Sequence, residues 1–245
     1  MTKKKSTDRI RCVVSDLAGT IIDHGSCAPA GVFVSLFARH GIQITFAQAR
    51  GPMGLQKRDH IEALFELPDV RESWKENYSR KPAKADVEIL YAEFIPLQLE
   101  TLPEYGDLIP DVVETARTLR KNGIKIATST GYDRQMMELA LADAKRGGFE
   151  PDAAFCTEDV PFGRPAPWMI YRAMETFNIF PARNVLKIGD TIPDIDAGLN
   201  AGCWTVGVTR TGYMLGLRES EVDKLDPEDL EERLDAATTA FEGEG

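Results

Sequence analysis

The chain has 245 residues, 43% of them hydrophobic and 28% charged, enough to bury the core of one large domain or of a domain carrying an insertion. Its formal net charge is −10; nucleic acid wants a clustered basic surface, so that partner is excluded, and any phosphate site must be built locally. The basic start MTKKKSTDR reads as a solvated tail, because no apolar run follows that could serve as a signal peptide or membrane span. The four cysteines, Cys12, Cys27, Cys156 and Cys203, lack CxxC spacing, which points to buried reduced thiols and a cytoplasmic setting.

In chain order, RCVVSD (11–16) reads as a strand. Helical apolar spacing then recurs in GVFVSLFARHG (31–41), GLQKRDHIEALFE (54–66) and ADVEILYAEFIPLQLETL (85–102). Residues 24–103 exceed an ordinary connection, so they read as a small helical domain inserted into a core made of 1–23 and 104–245. DVVETARTLRKNG (111–123) is a helix stopped by Gly123, and TIPDIDAGLNAG (191–202) ends the same way. Between and after them come the strand-like runs IKIATST (124–130), DAAFCT (152–157), VLKIGD (185–190) and CWTVGVT (203–209). Asp226 and Pro227 open a last helix as cap and first-turn proline, and the tail EGEG frays. Strand and helix alternate, which specifies an α/β fold: a Rossmann-like parallel sheet with helices on both faces.

Open parallel sheets bind ligands beyond the carboxyl ends of their strands, and the polar residues gather there. Asp16 ends the first strand, Thr130 follows IKIATS, Asp190 ends VLKIGD with Asp194 four residues on, and Arg164 lies in the loop-like FGRPAPWM. A carboxylate can attack phosphorus, further carboxylates can hold Mg²⁺, a hydroxyl and backbone N–H groups can grip phosphate oxygens, and arginine spans two of them. Singly, each residue is equally a cap, a turn residue or a surface cation; together they point to phosphoryl transfer. The order DLAGT, STG, GRP, GDTIPD resembles the haloacid dehalogenase (HAD) superfamily, and that resemblance puts the superfamily's type I cap at 24–103.

Many such enzymes carry a second acid two positions after the first, to protonate a departing oxygen. Here that position is Ala18. On the inserted segment, Lys57 and His60 are spaced i and i+3 in PMGLQKRDH, on one face of a helix beginning near Gly54. A lysine that condenses with an aldehyde gives a Schiff base, which can accept the electrons of a breaking carbon–phosphorus bond, so no acid is needed to protonate a leaving oxygen. PMGLQKRDH, STGYDRQMM and GRPAPWM together resemble the phosphonatase branch of the HAD superfamily. That resemblance implies Asp16 as nucleophile, Lys57 as Schiff-base lysine, and Met53 and His60 lining the site; an imidazole at His60 offers a proton shuttle for carbinolamine dehydration. It further implies Thr130, Gly131 and Arg164 on the phosphonate, and Mg²⁺ held by Asp16, the Ala18 carbonyl, Asp190 and Asp194. The expected enzyme is a cytoplasmic homodimer that hydrolyses a small phosphonate, phosphonoacetaldehyde, to acetaldehyde and phosphate in 2-aminoethylphosphonate degradation. The alternatives are a HAD-type phosphatase or phosphomutase, which would use an acid at position 18; a silent scaffold, which would have lost site residues; and a haloacid dehalogenase, which would leave the Asp190–Asp194 pair unexplained.

Overall fold

The computed structural model describes residues 9–243. Residues 1–8, the bulk of the basic start, and 244–245, the end of the acidic tail, lie outside them.

The chain begins with β1 (Cys12–Ser15), buried along its whole length as a central parallel strand must be. It then leaves the sheet for α1 (Cys27–Arg39), α2 (Phe46–Arg50), α3 (Lys57–Glu66), α4 (Pro68–Tyr78) and α5 (Lys84–Thr101). After α6 (Val112–Lys121) the alternation starts: β2 (Lys125–Ser129), α7 (Arg134–Arg146), β3 (Ala153–Phe155), α8 (Trp168–Thr176), β4 (Val185–Gly189), α9 (Ile192–Ala201) and β5 (Trp204–Gly207). Two further helices, α10 (Glu219–Val222) and α11 (Pro227–Glu242), close the described chain. Asp226 caps α11, its carboxylate accepting from the Glu228 N–H at 2.9 Å.

Each strand-like run of the sequence forms a strand, and all pair in parallel in the order β3-β2-β1-β4-β5. The chain therefore leaves β1 toward one side and returns through β4 on the other. That reversal leaves a crevice at the carboxyl ends of β1 and β4, the switch point at which such sheets bind ligands.

Within the insertion, α1, α3 and α5 stand where helical spacing was read. Two differences stand out. Helix α3 begins at Lys57 and not near Gly54, because Gly54 is at φ +93° in a tight turn that a helix cannot include. Helices α2 and α4 were not anticipated; α2 is a short capping-box turn in which Thr45 and Gln48 satisfy each other's backbone. The insertion packs through Phe33, Phe37, Ile61, Leu64, Phe65, Trp74, Leu90 and Phe94, all buried, with Phe33 stacked on Phe94 at 4.5 Å. The apolar cluster continues into Leu17, Ile22, Tyr132 and Met136 beside the sheet. Burial of one such aromatic or aliphatic side chain contributes roughly 1.5–3 kcal/mol, so this shared cluster holds the insertion firmly against the strand ends. All four cysteines are free, and among the described residues no helix is long and apolar enough to cross a membrane.

Candidate active site

Asp16 immediately follows β1 and Asp190 immediately follows β4, so adjacent strands deliver two carboxylates to the switch point. Asp194 joins them from the first turn of α9. All three are buried, and each offers an oxygen within 4.8 Å of the others. Arg164 Nη1 pairs with Asp16 Oδ2 at 3.2 Å and with Asp194 Oδ1. Asp194 Oδ1 also takes the ammonium of Lys187 at 2.6 Å, and its Oδ2 accepts from the Thr191 hydroxyl at 2.5 Å. Asp190 Oδ2 accepts the Tyr213 N–H at 2.9 Å.

The charges sort the three acids. Burial pushes the Asp194 carboxyl up, but Arg164 and Lys187 outweigh it and hold the group below its ordinary value. Burial, with Asp16 and Asp194 adding to it, drives Asp190 well above the carboxylate range. Asp16 is raised by burial, against the pull of Arg164. Asp16 Oδ1 and Asp190 Oδ1 are buried without a hydrogen-bond partner, and such orphan acceptors cost about 1–3 kcal/mol each. Two unpartnered carboxylate oxygens among three crowded acids fit a hard divalent cation, which prefers oxygen ligands and would relieve both costs. Asp194, with both oxygens already engaged, is suited to a supporting place beside it.

Above the acids lies a cavity of about 20 Å³ lined by Asp16, Ala18, Ser26, Met53, Gly54, Lys57, Thr130, Gly131, Tyr132 and Arg164, among others. The turn 51–55 lowers Met53 into it. Lys57, the first residue of α3, is only 6% exposed. Its nitrogen lies 5.4 Å from the ring centre of Tyr132, 5.8 Å from Phe33 and 5.9 Å from Phe94. Burial in this aromatic enclosure, with Arg164 adding repulsion, brings the Lys57 amine down to about 8, although Asp16, Asp133 and Asp23 pull it back up.

The structure thus brings Asp16, Ala18, Met53, Lys57, Thr130, Gly131 and Arg164 around one cavity with Asp190 and Asp194 beside Asp16. His60 is not among the lining residues. It is fully buried, its Nε2 bonded to the Ala49 carbonyl at 2.9 Å and its ring stacked on Phe33 at 3.9 Å. Burial and the neighbouring Lys57 keep its pKa well below 6.5, so the ring is neutral near pH 7.

Sequence reasoning passed over Lys187, Tyr132 and the Phe33–Phe94 wall. Lys187 did carry a signal, since a lysine inside an apolar parallel strand must find a buried partner. The aromatic enclosure carried none, because its three rings come from α1, α5 and the loop after β2.

The family profile described as haloacid dehalogenase-like hydrolase matches residues 10–202. The chain is 44% identical over 238 residues to the phosphonoacetaldehyde hydrolase of Syntrophobacter fumaroxidans, covering 97% of this chain and 86% of that protein. It is 43% identical over 233 residues to the phosphonoacetaldehyde hydrolase of Bacillus cytotoxicus, covering 95% and 88%. Among solved structures, a phosphonoacetaldehyde hydrolase-like protein from Oleispira antarctica superposes with a TM-score of 0.95 at 33% identity, over 96% of this chain and 86% of that one.

Proposed function

The chain belongs to the haloacid dehalogenase-like hydrolase family, and from that premise we propose that it hydrolyses the carbon–phosphorus bond of phosphonoacetaldehyde, releasing acetaldehyde and phosphate. One observation carries the reading: a buried lysine of lowered pKa shares a narrow cavity with Asp16, while Ala18 stands where an ester-cleaving relative would want an acid. The names of the similar proteins support the same substrate.

In this reading α1 to α5 act as the cap, residues 24–103, over the remaining core. Arg164, Thr130 and Gly131 hold the phosphonate group against Asp16. Lys57 adds to the aldehyde carbon and a water is lost, leaving a protonated imine. An Asp16 oxygen then attacks phosphorus, the carbon–phosphorus bond breaks, and its electron pair passes into the imine to give an enamine on Lys57. The fragment departs as a stabilised carbon, so position 18 needs no proton donor. Protonation and hydrolysis of the enamine return Lys57 and release acetaldehyde; a second water cleaves the aspartyl-phosphate. The balance is one water consumed per turnover. Mg²⁺ held by Asp16, the Ala18 carbonyl and Asp190, with Asp194 in support, would neutralise charge as one anion approaches another. His60 acts as a positioning residue in this scheme: its ring backs Phe33, which walls the Lys57 amine. A cytoplasmic homodimer working in 2-aminoethylphosphonate degradation completes the reading, supported by family resemblance alone.

The test is release of phosphate and acetaldehyde from phosphonoacetaldehyde by the wild type and by Lys57→Arg, alongside a panel of phosphate monoesters. The wild type should turn over only the phosphonate, and the variant should be inactive because a guanidinium forms no imine. Comparable turnover by Lys57→Arg, or faster cleavage of an ester, overturns the assignment.

A further inference from the structure

The cavity as it stands has room for about one water molecule. A substrate with a phosphonate group and two carbons is larger, so the groups around the cavity must part to admit it, and the contacts between them keep the site narrow. The apolar cluster is one contributor. The other is the segment after β5, residues 211–217, which is bonded to the loop after β1, to Asp190 and to α2. The Thr211 hydroxyl donates to the Gly19 carbonyl at 2.6 Å, and the Thr211 carbonyl accepts the Gly25 N–H at 2.8 Å. The Tyr213 N–H rests on Asp190 Oδ2, and the Leu217 carbonyl lies 2.8 Å from His24 Nδ1. From α1 the Cys27 thiol approaches the Gly216 carbonyl at 3.7 Å, and from α2 its last residue, Arg50, donates to the same carbonyl from Nη2 at 2.6 Å, the shorter and charged contact of the two.

That contact is built closely. The guanidinium lies flat on Gly216, so that a methyl group there would stand 2.5 Å from Cζ and 2.7 Å from Nε. The Nε beside it is buried without a hydrogen-bond partner, so Nη2 makes the bond that ties this side chain down. Arg50 also directly precedes the turn 51–55. That turn lays Gly54 against Thr191 and Leu55 against Gly131, carries Met53 into the cavity and leads straight into Lys57.

We propose that Arg50 is a positioning residue: its latch onto the Gly216 carbonyl anchors the turn 51–55 to the sheet domain and so keeps the Lys57 amine enclosed. The proposal rests on the reading of Lys57 as the reactive amine. Releasing Arg50 lets the turn lift and separates Lys57 from Tyr132 and Arg164, both of which belong to the sheet side. Water then reaches the amine, and its proton affinity rises. The charged groups facing Lys57 are Arg164, Asp16, Asp133 and Asp23; none is on α2, so Arg50 acts on the amine by closure and not by its own charge.

The experiment follows the acylation of Lys57 by acetic anhydride in the intact protein from pH 6 to 11, read by mass spectrometry, for wild type, Arg50→Ala and Arg50→Lys. The reagent is no phosphonate, so the result stands apart from the substrate assignment, which phosphate release tests separately. The wild-type midpoint is expected near 8, and Arg50→Ala should move it toward the ordinary 10.5. A rise of one pH unit cuts the neutral fraction at pH 8 about fivefold. Arg50→Lys, which keeps the stem and one donor, should move it the same way by less, and is the variant read if Arg50→Ala does not fold. KM for the phosphonate should rise with kcat less affected. General loss of stability would lower Tm without moving the midpoint. A folded variant whose Lys57 midpoint matches the wild type overturns the latch.

Discussion

Replacing Lys57 with methionine should make the protein more stable at neutral pH while abolishing its reaction. The lysine has no more than 6% of its surface exposed, and burial with the repulsion of Arg164 lowers its pKa from 10.5 to about 8. Below pH 8 both folded and unfolded chains carry the ammonium, and the folded chain bears the full cost of enclosing it. Between 8 and 10.5 the unfolded chain binds more protons than the folded one, so stability rises with pH; above 10.5 the cost is gone. Linkage makes the penalty about 3 kcal/mol at pH 7 and about 1 kcal/mol at pH 10. Methionine fills a similar volume without a charge, so its advantage over the wild type should follow the same curve. Urea unfolding of both proteins at pH 7 and pH 10 measures it. A variant no more stable at pH 7, or an advantage that does not shrink at pH 10, refutes the enclosure of the amine.

Lys187→Met should do the opposite, because that ammonium is paired with Asp194 and its loss leaves a buried acid short of a partner; breaking a buried pair costs about 3–5 kcal/mol, and the same unfolding assay reads it. The rate constant kcat/KM should climb with pH through about 8, as the Lys57 ammonium, which cannot attack a carbonyl, gives way to the amine; a profile flat from pH 6 to 9 would contradict this. Gly54→Ala places a methyl group onto Thr191 at φ +93°, a conformation costing an L-residue roughly 1–2 kcal/mol, and should lower kcat/KM about tenfold, measured with phosphonoacetaldehyde. Chelation should stop phosphate release and added Mg²⁺ restore it, with a parallel rise in Tm on metal addition, because the unpartnered oxygens of Asp16 and Asp190 gain a ligand.

The sheet was legible because buried parallel strands write themselves as short apolar runs, and Asp16, Thr130 and Asp190 could be placed because each directly follows such a run. Helix α4 was missed since only Val70 and Trp74 of its residues are buried, too thin a stripe to read in PDVRESWKENY. The start of α3 was set three residues early because periodicity ignores backbone torsion, and the turn at Gly54 decides it. His60 shows the limit of helical spacing: a place three residues from Lys57 put it on the right face, but the ring of Phe33 shields it from the cavity. What encloses Lys57 comes from α1, α5 and the loop after β2, and contacts between segments so far apart in the chain leave no local mark.

Lys57 is the opening residue of α3, with Gln56 as the cap before it and Asp59 within the first turn. Aligned peptide dipoles leave that end of a helix partly positive, and a cation there is disfavoured by about 0.3–1 kcal/mol. Stability alone would send a lysine to the opposite terminus. The amine's readiness to shed a proton is therefore written partly into the direction in which the backbone runs: the same side chain, in the same enclosure, on a helix of reversed polarity would hold its proton more tightly and offer less free amine near neutral pH.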